Sequence, residues 1–289
     1  MAVGEAVAYG AITVVNALAT GRGAALGVKL WTRARVRLTD KPGIVEGAIL
    51  SDPREDKTLM KKCVLRVLKR FGLEKIYGAY VETESNIPIA KGLKSSSVAS
   101  NAVVLATLNA LDECLPDMEI LRLGVEASFD AGVTVTGALD DASASYLGGI
   151  TVTDNRAFKI LKRFEVDERL KVIISVPEFK RYTTKIDLSR LKLMADGLDS
   201  AFREALEGRW QTAMKLNGVV CASALGYRVE PIFKALELGA VASGLSGKGP
   251  AIAAIAYEDA IPRIIEVWKS LGGTIIKTSV NNEKAHMLR

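Results

Sequence analysis

The run from Ser95 to Leu111 reads as a helix that is apolar nearly all round from Asn101 onward. Such a helix persists only where other elements cover it on most sides. It follows a strand-like run, Gly78 to Glu84, and a connection made of Pro88, Ile89, Ala90, Lys91, Gly92, Leu93, Lys94, Ser95, Ser96, Ser97 and Val98. A helix start presents unpaired backbone N–H groups and the positive end of the macrodipole, which together favour an anion. Gly92 lets backbone approach a ligand closely, Lys94 adds a full positive charge, and Ser95, Ser96 and Ser97 supply hydroxyls. Capping alone explains any one of these serines. It does not explain a glycine, a lysine and three successive serines ahead of an apolar helix, so Pro88 to Val98 is read as a phosphate-binding loop.

The chain has 289 residues, 49% hydrophobic and 25% charged, enough for a large core in one or two domains and too apolar for disorder. Its net charge of +6 suits an anionic substrate without indicating nucleic acid. Cys63, Cys114 and Cys221 lie far apart and fit no zinc spacing, and so read as reduced thiols. His286 is the single histidine, which excludes multi-histidine metal sites and any Ser-His-Asp triad that does not use it. Met1 to Leu18 is apolar, yet it carries Glu5 and has no Lys or Arg before Arg22, so it lacks the positive flank of a signal peptide. No apolar stretch is long and clean enough to span a bilayer. A soluble, cytoplasmic protein with no membrane or nucleic-acid partner is expected.

Val28 to Leu38 alternates, with Val28, Leu30, Ala34, Val36 and Leu38 on one face and Lys29, Trp31, Arg33, Arg35 and Arg37 on the other. Lys41-Pro-Gly43 predicts a hairpin turn into Ile44 to Leu50. Thr58 to Phe71 is helical in pattern, with Leu59, Cys63, Val67 and Phe71 inward. Asp117 is expected to cap a helix running to about Phe129. Asp130 to Gly149 is rich in small residues around Asp140-Asp141. Beyond a boundary near residue 160, the order strand, helices, strand, strand, helix, strand predicts a ferredoxin-like split βαβ unit. The expected architecture is therefore α+β in two domains, 1–160 and 161–289.

Two nucleotide fingerprints fail. Gly247-Lys248 has Ala242 and Gly249 where a Walker A loop needs Gly and Ser/Thr, and Gly21-Arg-Gly23 is followed by Gly27 one residue too late for a dinucleotide loop. The chain instead resembles the GHMP kinase superfamily. Pro88 to Ser96 matches its Pro-x-x-x-Gly-Leu-x-Ser-Ser signature. Gly137-Ala-Leu-Asp140-Asp141 through Gly148-Gly149 resembles its Gly-x-Asp-Asn…Gly-Gly segment, and Gly244-Leu-Ser-Gly-Lys-Gly-Pro through Ala254 resembles its third, glycine-rich loop. Within the superfamily, Gly-Leu-Lys-Ser-Ser-Ser, Thr136-Gly-Ala-Leu-Asp-Asp and the stretch Gly10 to Ala25 look like the archaeal-type shikimate kinases. Lys94 departs from the general pattern, which has a small residue there.

The resemblance implies a two-domain GHMP fold and transfer of phosphate from ATP to the 3-hydroxyl of shikimate. It places Gly92 to Ser97 around the phosphates, Ser96 and Glu126 on Mg²⁺, and Asp140 as the general base, with Asp141 pointing elsewhere. Lys248 is as readily a plain loop lysine and stands outside the catalytic set. Arg33, Arg35 and Arg181 are candidates for the shikimate carboxylate. Thr13 and Asn16 are candidates for substrate hydroxyls or for structure, and Tyr9 or Trp31 for packing on adenine. Two alternatives stand beside this: another small-alcohol kinase of the homoserine or mevalonate type, and a non-catalytic module binding nucleic acid through Lys29, Arg33, Arg35 and Arg37.

Overall fold

The computed structural model describes residues 2–88, 92–134, 136–178 and 188–288. Ile89, Ala90 and Lys91 of the predicted phosphate loop, and Arg181, lie outside the described residues. The N-terminal elements are β1 (Val3–Val15), β2 (Arg22–Thr39), β3 (Val45–Ile49), α1 (Thr58–Arg70), β4 (Gly78–Ser85), α2 (Ser95–Leu111), α3 (Asp117–Asp130), α4 (Leu139–Leu147), β5 (Ile150–Asp154) and β6 (Lys159–Phe164). Then come β7 (Lys171–Val176), α5 (Ser189–Leu193), α6 (Ala195–Leu206), α7 (Trp210–Ala224), α8 (Glu230–Glu237), β8 (Ala242–Leu245), β9 (Ile252–Ala256), α9 (Ile261–Lys269), β10 (Thr274–Ser279) and β11 (His286–Leu288).

The long β2 is the spine of the first sheet. β1 pairs with it antiparallel, β4 takes the other side of its C-terminal half, and β5 pairs with its start, from Arg22↔Asp154 to Leu26↔Ile150. The strand order is β11-β1-β2-β4-β3, with β5 and β6 joined through β2. The alternation read in Val28 to Leu38 is what the strand shows, small and aliphatic residues inward and Lys29, Arg33, Arg35 and Arg37 exposed. That basic face is matched by acid. Glu84 and Glu82 lie opposite Arg33 and Arg35, Lys29 pairs with Glu283 at 3.3 Å, and Arg35 pairs with Glu5 at 3.3 Å.

Two local expectations are corrected. β3 does not form a hairpin with β2, because β4 already occupies that edge and β3 adds beyond it, parallel, from Val45↔Ala79 to Ile49↔Thr83. The turn at Lys41 to Gly43 is instead tied to β4's approach, with the Gly43 N–H donating to Tyr77 O and the Ala79 N–H to Ile44 O. Asp117 opens α3 but does not cap it; Pro116 holds the cap position, while the Asp117 carboxylate accepts from Tyr146 and pairs with Lys284.

The helix α2 has the predicted bounds and is buried nearly throughout, against β1, β2, α1, α3 and α4. Valine is a weak helix former, costing a few tenths of a kcal/mol per residue. Burial of Val98, Val103, Val104, Leu105 and Leu108, at about 1.5–3 kcal/mol each, overrides that preference. The second sheet, β10-β7-β9-β8, is wholly antiparallel and places the first strand of the unit between the fourth and the third, which is the expected ferredoxin-like arrangement. α7 bridges the sheets by packing on both β1 and β8, and β11 carries the chain's end back to β1.

Leu108→Ala should cost about 2–5 kcal/mol of unfolding free energy, as expected for an emptied core site, while Arg35→Ala should cost less than about 1 kcal/mol because its ion pair is exposed. Urea unfolding of the two variants checks this contrast.

Candidate active site

A cavity of about 450 Å³ opens where the two sheets meet. Its walls come from Gly92 to Ser97 at the start of α2, Asp140 and Asp141 at the start of α4, Gly247 to Gly249 after β8, Asn16 to Leu18 after β1, and parts of the chain between β3 and α1. The two glycine loops touch. Ser246 donates its hydroxyl to Gly92 O at 2.7 Å. Gly92 has φ +84, and a side-chain carbon there would overlap the Ser246 carbonyl oxygen, so only glycine permits this approach. On the other side the Gly247 N–H donates to Thr13 Oγ1 at 2.8 Å, and Asn16 Nδ2 donates to Gly247 O at 2.7 Å. Asn16 also accepts from the Leu18 N–H at 2.9 Å. Thr13 and Asn16 thus hold the third loop, and Asn16 also lines the cavity.

The residue opening α2, Lys94, has φ 62 and ψ 23. A left-handed conformation costs a non-glycine residue about 1–2 kcal/mol, and here it turns the side chain into the cavity. Its Nζ stands 2.7 Å from Asp141 Oδ1, with the two side chains only 10% and 12% exposed. At that length it is a buried, charge-assisted ion pair. Asp141 therefore faces the site, which corrects the expectation that it points elsewhere. Ala138, with φ 48, starts α4 abruptly, and both aspartates fall in its first turn and line the cavity.

Asp140 is 3% exposed. Its Oδ1 accepts from Asn155 Nδ2 at 2.8 Å, and Asn155 is itself oriented by the Thr153 hydroxyl at 2.7 Å. The Asp140 backbone carbonyl accepts from the hydroxyls of Ser143 at 3.2 Å and Thr151 at 3.3 Å. Burial, and then the neighbouring Asp141 charge, push its carboxyl up to about 7, against the opposing pull of Lys94 and Asn155. A carboxylate titrating there is suited to accept a proton near neutral pH. Gly23 on β2 makes room for it, because an added Cβ would stand 2.6 Å from Asp140 Oδ2.

Lys248 also lines the cavity. Burial lowers its ammonium to about 8, with Lys94 adding to the effect and Asp141 opposing it.

Several predicted residues are not brought here. Glu126, expected on a metal, is held by Arg66, which reaches it at 2.8 Å and Asp130 at 2.7 Å, and it does not line the cavity. Pro88 does not line it, and Val98 is fully buried in the core. Arg33, Arg35 and Trp31 lie on the outer face of β2, with the Arg33 guanidinium over the Trp31 ring at 4.9 Å. Tyr9 donates to Glu283 at 3.3 Å. Conversely, sequence reasoning passed over Asn155, which sits in an ordinary-looking turn, and the meeting of Lys94 with Asp141, which no spacing announces.

The profile of the GHMP kinases N terminal domain matches residues 58–149, and that of the GHMP kinases C terminal region matches residues 200–273. The chain is 46% identical to a shikimate kinase of Methanosarcina mazei over 98% of its length and 96% of the relative's. It is also 46% identical to a shikimate kinase of Pyrococcus furiosus, over 93% of this chain and 96% of the other. The chain belongs to the GHMP kinase family. Among solved structures, a homoserine kinase from Cytophaga hutchinsonii superposes with a TM-score of 0.79 at 20% identity, covering 100% of this chain and 98% of that one. The mevalonate kinase of Methanococcus jannaschii gives a TM-score of 0.73 at 14% identity, covering 99% and 98%. At those identities the likeness is one of fold, and it agrees with the α+β GHMP architecture described above.

Between about pH 4 and 7 the folded chain holds a proton on Asp140 that the unfolded chain has released. Stability contributed at this position therefore falls as pH rises through that window. Asp140→Asn should melt above the wild type at pH 8, with the advantage shrinking toward pH 4–5 in thermal melts; a gap independent of pH would contradict the raised pKa.

Proposed function

We propose that the chain transfers the γ-phosphoryl group of ATP to the 3-hydroxyl of shikimate, giving shikimate 3-phosphate and ADP. The observation that carries this is the buried Asp140 carboxylate facing, across one cavity, the amino end of α2 and the glycine loop after β8. Family membership and full-length similarity to shikimate kinases support the choice of acceptor. The exposed basic stripe on β2 does not favour the nucleic-acid alternative, since glutamates lie opposite or paired with three of its four cations.

Phosphoryl transfer needs aligned oxygens and a site that absorbs negative charge. The first turn of α2, Ser95 to Ser97, offers N–H groups and hydroxyls to the phosphates. Asp140 accepts the acceptor hydroxyl's proton as the new O–P bond forms, and Asn155 keeps the carboxylate aimed. Among the described residues, no group of three or more Asp, Glu, His or Cys side chains is arranged to hold a metal alone. The hard oxygens at the cavity suit Mg²⁺, which takes few protein ligands and the rest from water and phosphates. The Ser96 hydroxyl would hold it together with the nucleotide, and when bound it would neutralise phosphate charge.

We assign the nucleotide to residues 1–160 and the third loop to residues 161–289, with β6 (Lys159–Phe164) crossing that boundary and β11 (His286–Leu288) returning to the first sheet. Among the described residues no helix is long and apolar enough to cross a membrane, and we place the enzyme in the cytoplasm, where ATP is abundant.

A coupled assay with ATP, Mg²⁺ and a panel of alcohols should show ADP release dependent on shikimate and not on homoserine or mevalonate; the reverse preference would overturn the acceptor. Asp140→Asn should lower turnover by about 10²-fold or more, the scale of lost general-base catalysis, with ATP affinity nearly unchanged. Ser96→Ala should raise the Mg²⁺ concentration needed for half-maximal rate, and an identical magnesium profile would remove Ser96 as a ligand.

A further inference from the structure

We propose that Lys94 and Lys248, carried by two different loops, together grip the phosphoryl group in transit, and that Asp141 is a positioning residue that holds Lys94 until that group arrives. This deepens the kinase function proposed above and rests on it.

Three features of the cavity converge on this assignment. First, both ammonium groups belong to one space. Lys94 Nζ lies 3.5 Å from where a side-chain carbon on Gly247 would stand, and Lys248 is the next residue. Two cations in a half-buried cavity repel one another unless an anion sits between them.

Second, the resident carboxylates do not meet that demand. Asp141 already holds Lys94, and Asp140 is engaged by Asn155. Among the described residues, no carboxylate is ion-paired with Lys248. One further negative group completes the balance.

Third, the Asp141 contact with Lys94 is built to be exchanged. Among the described residues the ammonium meets one carboxylate oxygen, Asp141 Oδ1 at 2.7 Å, which leaves two of its three donors for phosphoryl oxygens. Lys94 also occupies the position from which α2 starts, so the helix's own N–H groups point toward the same region.

A phosphoryl group fits this site better than the acceptor's carboxylate. Lysine acts on phosphate as a movable point charge, whereas a planar carboxylate is matched by the arginine fork, and no arginine is among the described residues lining the cavity. During transfer the acceptor oxygen bonds to the γ-phosphorus as the bond to the β,γ-bridging oxygen breaks. The hydroxyl proton passes to Asp140, and the electron pair leaves with ADP. The two lysines stay on the equatorial oxygens throughout, where charge is spread in the transition state.

The test measures ATP and ADP affinity by calorimetry in the absence of acceptor, together with steady-state turnover. Lys248→Met, at a partly buried loop position, should keep ADP affinity within about twofold, lose tenfold or more in ATP affinity, and lower kcat more than it raises the KM for shikimate. Lys94→Met should show the same selective loss of ATP. Asp141→Asn should move the other way and bind ATP more tightly, because the competitor for Lys94 is gone; a variant that merely disturbed packing would weaken ATP and ADP alike. Equal losses for the two nucleotides in both lysine variants would overturn the proposal. So would unchanged nucleotide binding with a raised KM for shikimate, which would make the lysines carboxylate readers. Weaker or unchanged ATP binding in Asp141→Asn would remove Asp141 from the assignment. If the wild type turned over no alcohol, the kinase function would fail, while the ATP-to-ADP affinity ratio would still decide the role of the lysines.

Discussion

The contact between two glycine loops above the start of α2 sets the geometry of everything functional in this molecule. The Ser246 hydroxyl on Gly92 O, and Thr13 and Asn16 on Gly247, draw the second sheet's loop over the first sheet's helix. Without that closure the lysines of the two loops would face solvent separately, and the cavity would have one wall. Glycine is required because backbone meets backbone here. Hydrogen bonds to Thr13 on β1 and from Asn16 just after it then fix the register of the meeting, which explains why both are buried although polar.

Within the closed space, burial governs the chemistry. Asp140 and Asp141 are neighbours in the first turn of one helix, yet their surroundings separate their roles. Asp140 faces Gly23 and Asn155, away from cations in direct contact, and desolvation raises its proton affinity. Asp141 faces Lys94 and is neutralised by it. The result is one carboxylate able to take a proton near neutrality and one that orders a positive charge. This pairing also rationalises a departure from the general superfamily signature, since the lysine that replaces a small residue in the first loop finds its counter-charge in the second motif.

Much of the scaffold was legible because it follows from periodicity. The alternation of Val28 to Leu38 specified a half-buried strand, and the unbroken apolar run after Ser95 specified a covered helix. The strand–helix order of the second half specified its sheet. Pairing partners were less legible. The turn at Lys41 to Gly43 looks like a hairpin locally, but β4, almost forty residues along the chain, outcompetes β3 for the edge of β2. Side-chain partners were least legible. Glu126 has the right charge and spacing for a metal, but α1 places Arg66 against it. Arg33 and Arg35 have the right chemistry for a carboxylate, but strand alternation aims them at solvent.

Most helices and strands, the phosphate-loop motif and the kinship could be read from the chain, because these depend on local composition and spacing; β1, an apolar stretch without clear alternation, could not. Three-dimensional packing was needed to bring Lys94 to Asp141, Asn155 to Asp140, and Thr13 and Asn16 to the third loop. Those contacts join residues far apart in the chain, and their strength comes from exclusion of water, which no linear pattern records.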